Sequence, residues 1–260
     1  GEYNTTEDTR IARGWDQFFT SVYGYPEYHR VLPALRGAAP TQVLQMAHQV
    51  STHHFGPAAA RMLRHIENND TSRFLVEGEP AEKLRPALAF LLLAPGTPYL
   101  FYGVEQGFQQ TRASLNHPDP DCRPDMFEAG QFVRPAAHAA RQTHYDAEAP
   151  LFRYIQSLTA LRGRFKCLRR GQLLVRLVDN DGPGLYAFER RSGDSGALVV
   201  LNTSPDERGA DIPHSLAPPS TSTVMVDHLS TSYSTEAQVG SVRVTVPGLS
   251  ARVLMYGSEA

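Results

Sequence analysis

The sequence predicts an α/β unit with a parallel sheet, followed by an all-β antiparallel unit. Two observations support this fold class. Up to about residue 170, helical apolar periodicity alternates with short apolar runs that end in polar residues, which is typical of a parallel sheet. From residue 171 onward, Gly, Asp, Pro and Ser separate short β-type runs, which is typical of a sandwich or Greek key. We therefore expect two domains, at residues 1–170 and 171–260.

The composition excludes several classes of partner. The 260 residues are 41% hydrophobic and 20% charged, and the formal net charge is −2. Such a chain can bury a core, but it has no basic excess that would indicate binding to nucleic acid or to an anionic membrane. The apolar run at residues 88–93 is too short to span a membrane. We therefore expect no nucleic acid and no membrane among its partners.

Helical periodicity and breakers divide the first unit into elements. The predicted helices lie at residues 28–35, 41–55, 79–94 and 150–168. Thr41 is a plausible N-cap of the second helix. An apolar strand is predicted at residues 99–102. The long polar stretch at residues 109–145 is predicted to be a loop that lies over the face where the strands end.

The second unit is predicted from six β-type runs. They lie at residues 173–177, 185–188, 197–201, 223–226, 242–246 and 251–256.

Two apolar segments of the first unit end in clusters of polar residues. One leads into Glu67-Asn68-Asn69-Asp70, and the other, at residues 99–102, leads into Gly103-Val104-Glu105. In a parallel α/β barrel the strand ends meet at one face, where the loops carry catalytic groups. The alternative for the first cluster is an Asx-rich turn that caps the next helix.

These clusters resemble signature sequences of the α-amylase family of glycoside hydrolases. Glu67-Asn68-Asn69-Asp70, followed by Arg73-Phe74, is similar to the strand-seven signature, and residues 96–107 are similar to the strand-eight signature. Residues 226–230 and 247–254 fit the pattern of the β domain that follows the barrel in this family. The resemblance implies a partial (β/α)8 TIM barrel, about strands 5–8, followed by an antiparallel β-sandwich domain.

The resemblance also implies that this chain is the C-terminal half of the barrel. Residues 23–28 resemble the family's strand-six segment, and Glu2 then falls where strand five ends. No stretch resembles strands one to four, and no stretch resembles the aspartate nucleophile that follows strand four. We therefore expect a piece of a longer protein, and the missing N-terminal half of the barrel is the partner that the fold requires.

Retaining glycosidases need a carboxylate nucleophile and a proton donor, and a third carboxylate can stabilise the oxocarbenium-like transition state. By resemblance, Glu2 is the acid/base and Asp70 is the third carboxylate. The substrate-binding residues that the resemblance implies are Asn68, Asn69 and Arg73. The implied substrates are α-1,4-glucans such as starch and maltodextrins. The sequence does not separate a hydrolase from a transglycosylase.

Asn69 departs from the family pattern, which usually has His at this position. Asn can donate a hydrogen bond, but it is shorter and cannot carry a charge. An alternative is therefore a catalytically impaired relative that binds carbohydrate or serves assembly. A separate carbohydrate-binding module after residue 171 is a third possibility, without an obvious aromatic platform.

Support of neighbouring groups is favoured over direct catalysis for Arg73 and Glu105. Packing is favoured over stacking on sugar rings for Tyr23, Tyr25, Phe108 and Phe127.

Cysteine and histidine usage indicates no metal centre. Cys122 and Cys167 allow at most one disulfide, and two free thiols are the favoured interpretation. Solvated or hydrogen-bonded side chains are favoured over zinc ligands for His48, His53, His54 and His65.

The resemblance makes calcium a possible cofactor with ligands outside this chain. It also implies an extracellular protein.

Overall fold

A computed structural model describes residues 6–7, 19–112, 122–126, 145–215 and 223–256. Glu2, Phe127 and most of the predicted loop at residues 109–145 lie outside these described residues. The described chain forms an α/β part and, from Gln172 onward, an antiparallel β part.

Helices make up most of the α/β part. The described α-helices are α1 (Tyr25–Leu35), α2 (Gln42–Phe55), α3 (Leu84–Leu93), α4 (Pro150–Arg164) and α5 (Lys166–Arg170). Short 3-10 turns lie at Gly56–Arg61, Ala81–Lys83 and Val104–Gln106. Nearly every residue of α3 is buried, as expected for a helix that is apolar all round. No helix in the described ranges has the length and apolar character that crossing a membrane requires.

Parallel strands connect these helices. β1 (Leu63–Arg64) pairs in parallel with β3 (Thr97–Pro98), and Tyr23 forms a parallel bridge with Leu63. β2 (Leu75–Val76) pairs in parallel with β4 (Gln109–Gln110). The helix-and-parallel-strand alternation is therefore present, although both pairs span only two residues each.

Two predicted elements have different bounds in the structure. The strand predicted at residues 99–102 lies earlier, at β3, because its ladder to β1 ends where the Tyr99 N–H donates to Arg64 O at 2.7 Å. The single helix predicted at residues 150–168 is two helices, because Phe165 has extended backbone angles of φ −99° and ψ 121°.

Thr41 is the N-cap residue of α2, as predicted, and its side chain bonds elsewhere. Thr41 stands at the N-cap position, but its hydroxyl makes no capping hydrogen bond. The hydroxyl instead donates to Leu185 O at 2.7 Å and accepts from the Asp179 N–H at 2.8 Å. The start of α2 is therefore fastened to the β part.

The β part consists of two antiparallel four-stranded sheets. The first has the order β12-β7-β6-β5, with strands β5 (Gln172–Val178), β6 (Leu185–Ser192), β7 (Ser195–Asn202) and β12 (Ser250–Tyr256). The second has the order β8-β11-β10-β9, with strands β8 (Arg208–Pro213), β9 (Thr223–Val226), β10 (Ser234–Ala237) and β11 (Ser241–Val246). One hydrophobic cluster contains residues of both sheets, so the predicted antiparallel sandwich is present.

The first sheet is buried on both faces. Leu198 and Val200 of β7 belong to the core between the two sheets, whereas Val199 and Leu201 belong to a second core shared with the helices. This alternation follows from the period of two in a strand. The second core also contains α3, α4 and α5 residues, so the first sheet packs against the α/β part.

Two strands of the second sheet lie outside the predicted β-runs. β8 and β10 have the sequences RGADIP and STEA, which have low β propensity and little hydrophobic alternation. They form because β11 and β9 offer them a ladder, with six aligned pairs between β8 and β11.

Candidate functional site

The polar cluster that follows β1 forms a tight turn. The Asp70 N–H donates to Asn68 Oδ1 at 2.9 Å, and the Asn68 N–H donates to Thr71 Oγ1 at 2.9 Å. Asn68 is buried, whereas Asp70 is exposed. The segment is therefore an Asx turn at the end of a parallel strand, but it caps no helix, because the next described helical residues begin at Ala81.

A buried ion pair lies behind this turn. Arg73 Nη1 and Glu67 Oε1 are 2.8 Å apart, and the two side chains are only 0% and 2% exposed. Glu67 Oε2 also accepts the Phe74 N–H at 2.6 Å. Because both side chains are buried, these contacts of Glu67 link the residues on the two sides of the turn.

The Arg73 guanidinium joins the two sequence signatures. Its carbon lies 4.3 Å from the ring centre of Phe101 and 4.9 Å from that of Tyr102, and Nη1 donates to Tyr102 O at 2.6 Å. Nearby, Gly103 has a φ of +86°, and a Cβ there would lie 2.3 Å from the Phe108 ring. The complete burial of the Arg73 side chain favours its supporting role. Direct substrate binding by Arg73 stays a prediction.

Asp70 lies at the edge of the turn with two polar neighbours. Its Oδ1 accepts from Asn69 Nδ2 at 2.9 Å and lies 3.3 Å from Arg123 Nη2. The Asp70 side chain is 35% exposed. Arg123 also donates to Asn69 O at 2.9 Å, so the segment at residues 122–126 holds the tip of the turn. The sequence analysis missed Arg123, because its position in a polar loop carries no pattern that indicates this contact.

The structure thus brings together Asn68, Asn69 and Asp70 in one turn, with Arg73 behind it. Glu2 lies outside the described residues, so its place relative to Asp70 stays a prediction.

An aromatic cluster packs around His65, just before the turn in the chain. His65 stacks on Tyr28, with ring centres 4.7 Å apart, and meets the ring edges of Tyr25 and Tyr23 at 5.0 and 5.6 Å. Both ring nitrogens of His65 are buried without a hydrogen-bond partner among the described residues. Burial lowers the pKa of His65 to about 4, and the nearby His29 acts in the same direction.

This environment revises two predictions about histidines and aromatic side chains. His53 and His54 are exposed, as a solvated side chain should be, but for His65 the interpretation as solvated or hydrogen-bonded is wrong. Tyr25 and Phe108 are each 1% exposed, so their predicted role in packing is confirmed.

Two clefts lie away from the turn. Glu105 lines a largely apolar cleft of about 350 Å³ together with Leu100 and Phe152, and burial raises the pKa of the Glu105 carboxyl. A cleft of about 430 Å³ lies between α4 and the sandwich, lined in part by Tyr154 and Arg252. Neither cleft is lined by residues of the Asn68–Asp70 turn.

Metal-binding chemistry is absent from the part of the chain that the structure describes. No group of three His, Cys, Asp or Glu side chains there could hold a metal ion. Cys122 and Cys167 are both buried, and neither forms a disulfide.

Comparison with known proteins identifies the second part of the chain. A family model described as the alpha amylase C-terminal all-beta domain matches residues 177–257. The chain is therefore, as a class, an α/β protein with a C-terminal all-β domain of the alpha-amylase type.

Individual relatives agree with this class. An alpha-amylase of Streptomyces lividans is 32% identical over 142 residues, which are 52% of this chain and 15% of that protein. A cyclomaltodextrin glucanotransferase of Geobacillus stearothermophilus is 28% identical over 139 residues, which are 54% of this chain and 16% of that protein. The matched segments thus cover about a sixth of each curated relative.

Solved structures share this fold. The crystal structure of an alpha-amylase from Geobacillus thermoleovorans, complexed with acarbose, matches with a TM-score of 0.78 and 17% sequence identity. The match covers 99% of this chain and 53% of that structure. The resemblance to the α-amylase family seen in the sequence is therefore confirmed.

Proposed function

We propose that this chain is the C-terminal part of a retaining α-glucan hydrolase or glucanotransferase. In this proposal its parallel strands belong to a partial (β/α)8 barrel, about strands 5–8, and the other barrel half is supplied by sequence outside this chain. The observation that carries the proposal is the turn from Asn68 to Asp70. It presents a carboxylate at a parallel strand end and is held by the Glu67–Arg73 pair.

The proposed mechanism divides the chemistry among three carboxylates. Glu2 donates a proton to the leaving glycosidic oxygen, and its environment must raise its pKa for this task. The nucleophile, an aspartate outside this chain, lies about 5–5.5 Å from the donor in a retaining enzyme. Asp70 binds the hydroxyl groups of the distorted sugar and stabilises the positive charge of the transition state. Its partial exposure is compatible with contact to a bound sugar.

The proposed substrates are α-1,4-glucans, starch and maltodextrins among them. Three solved neighbours of the same fold hold acarbose, maltotriose and maltose, which supports this substrate class. Asn69 stands at the surface of the turn, and we assign its amide a hydrogen bond to the sugar. Asn68 contributes to substrate binding from inside the turn, since its side chain is buried.

The setting of the protein is also part of the proposal. We place the protein outside the cell, in line with the α-glucan substrates. If the enzyme binds calcium, we place its ligands outside this chain, as the family resemblance implies.

A second candidate function is supported by the contacts of Asp70. Its carboxylate is engaged by Asn69 and Arg123 in this structure, and Asn69 replaces the usual His. A relative with its third carboxylate occupied in this way would bind carbohydrate or serve assembly without cleaving it.

Starch hydrolysis by the complete protein separates these two functions. The expected result is release of reducing sugar from soluble starch, reduced by about 100-fold or more in Asp70→Asn, because one transition-state interaction is lost. Asp211→Asn is the matched control, since Asp211 is an exposed carboxylate on the sandwich and should leave the rate unchanged. A folded protein that binds maltodextrin but releases no sugar would favour the binding function.

A further inference from the structure

A chain of two hydrogen bonds links α1 to the turn that carries Asp70. Asn68 Nδ2 donates to Tyr25 Oη at 2.8 Å, and Asn68 Oδ1 accepts the Asp70 N–H at 2.9 Å. Asn68 is 0% exposed and Tyr25 is 1% exposed, so water does not compete for the bond between them, whereas the bond to the Asp70 N–H is partly buried. The side-chain amide of Asn68 thus has one partner on each side.

The orientation of this amide follows from the chemistry of its partners. A backbone N–H can only donate, so the atom of Asn68 that faces Asp70 must be the carbonyl oxygen. The NH2 group must then face Tyr25, whose phenolic oxygen accepts. The reverse orientation would place two donors against each other in a buried site, which costs about 1–3 kcal/mol.

Tyr25 itself is held by the backbone around it. The Gly24 N–H donates to Leu63 O at 2.9 Å, and a Cβ on Gly24 would lie 3.3 Å from the same oxygen. Tyr25 is the first residue of α1, with Pro26 in its first turn. Its ring also meets the edge of His65 at 5.0 Å. The phenol therefore occupies a place set by α1 and β1.

We propose that Tyr25 is a positioning residue for Asp70. It holds the Asn68 amide in the orientation that fixes the Asp70 N–H, and thereby sets where the Asp70 carboxylate stands. This inference rests on the proposed function, because it assigns Asp70 the role of a transition-state carboxylate. Tyr25 is buried and does not touch the substrate.

The test compares Tyr25→Phe with Tyr186→Phe in the complete protein. Tyr186 is a matched control, because its buried hydroxyl has no hydrogen-bond partner among the described residues. We expect kcat on maltodextrin to fall about 10- to 100-fold in Tyr25→Phe, with KM changed about threefold or less, as for a misplaced catalytic group. Tyr186→Phe should retain the parent's kcat.

Two further measurements separate positioning from a general structural role. In an Asp70→Asn background, Tyr25→Phe should cause little additional loss of kcat, since both changes act on the same carboxylate. Hydrogen exchange of the Asp70 amide should become about fivefold faster or more in Tyr25→Phe, because the hydrogen bond that holds this amide is weakened. Losses of kcat that multiply, or an unchanged exchange rate, would overturn the inference.

The exchange measurement also separates this inference from the proposed function. If the complete protein cleaves no glucan with Asp70 intact, the proposed function fails. Exchange of the Asp70 amide still decides the positioning role: a faster rate in Tyr25→Phe supports it, and the parent's rate overturns it.

Discussion

The α/β part and the sandwich use backbone pairing to very different extents. Each parallel pair in the α/β part covers two residues, whereas β6 and β7 pair over eight consecutive residues of the sandwich. Long ladders satisfy the backbone locally, so the interior of the sandwich can consist mainly of apolar side chains. In the α/β part, side-chain hydrogen bonds and ion pairs lie around the short strands, as at Arg64, whose guanidinium pairs with Glu27.

The buried ion pairs show the same difference. In the α/β part both partners are buried: Glu67 and Arg73 are 2% and 0% exposed, and Glu27 and Arg64 are 6% exposed each. In the sandwich the Glu189 carboxylate is fully buried, but the side chain of its partner Arg176 is 21% exposed. Removal of one partner should therefore be most damaging in the α/β part, where the remaining charge cannot reach water.

The largest effect is expected for Arg73→Met. This change leaves Glu67 buried without its cation, and unfolding in urea should show a loss of about 3–5 kcal/mol. Arg176→Met in the sandwich should cost less, because Glu189 keeps a hydrogen bond from the Ser215 N–H at 2.8 Å. Adding Glu67→Gln to Arg73→Met should recover part of the loss, since the uncompensated charge is then gone. Equal losses for the two single variants would remove the contrast between the regions.

A smaller effect is expected from pH. The pKa of His65 is lowered from 6.5 to about 4, so between these values the unfolded state binds a proton that the folded state does not. The free energy of unfolding should therefore fall as the pH drops from about 6.5 to 4, by at most roughly 3 kcal/mol from this group.

The histidine variants identify the source of that slope. His65→Phe should flatten the dependence of unfolding free energy on pH in this window. His54→Phe, at an exposed position, should not change it. A residual slope is expected from His48, because burial lowers its pKa to about 4 as well. If His65→Phe kept the full slope, the aromatic cluster would not be the pH-sensitive part of the fold.

The smallest effect is expected at the surface of the sandwich. Arg243 and Asp211 form an ion pair at 3.0 Å, with side chains that are 62% and 67% exposed. Arg243→Ala should change the free energy of unfolding by about 0.5 kcal/mol or less, because solvent screens such a pair. Thermal unfolding of this variant calibrates the comparison, and a shift as large as that of Arg73→Met would contradict it.

Strong local patterns were predictable in both regions. The β-type runs at residues 185–188 and 197–201 lie inside β6 and β7, and the predicted helix at residues 79–94 contains α3. These segments have a clear period or an unbroken apolar run, so local preference and burial agree. The polar strands β8 and β10 were missed because only pairing with neighbouring strands makes them β-structure.

At the candidate site, the sequence by itself determined the family resemblance and the turn of Asn68, Asn69 and Asp70, because these depend on residue types at short spacing. The tertiary structure alone decided the contacts across long separations. It brought Arg123 to Asp70, aligned Tyr25 with Asn68, and turned the Thr41 hydroxyl toward the sandwich. Such contacts join residues that are 43 to 144 positions apart, and no local pattern encodes them.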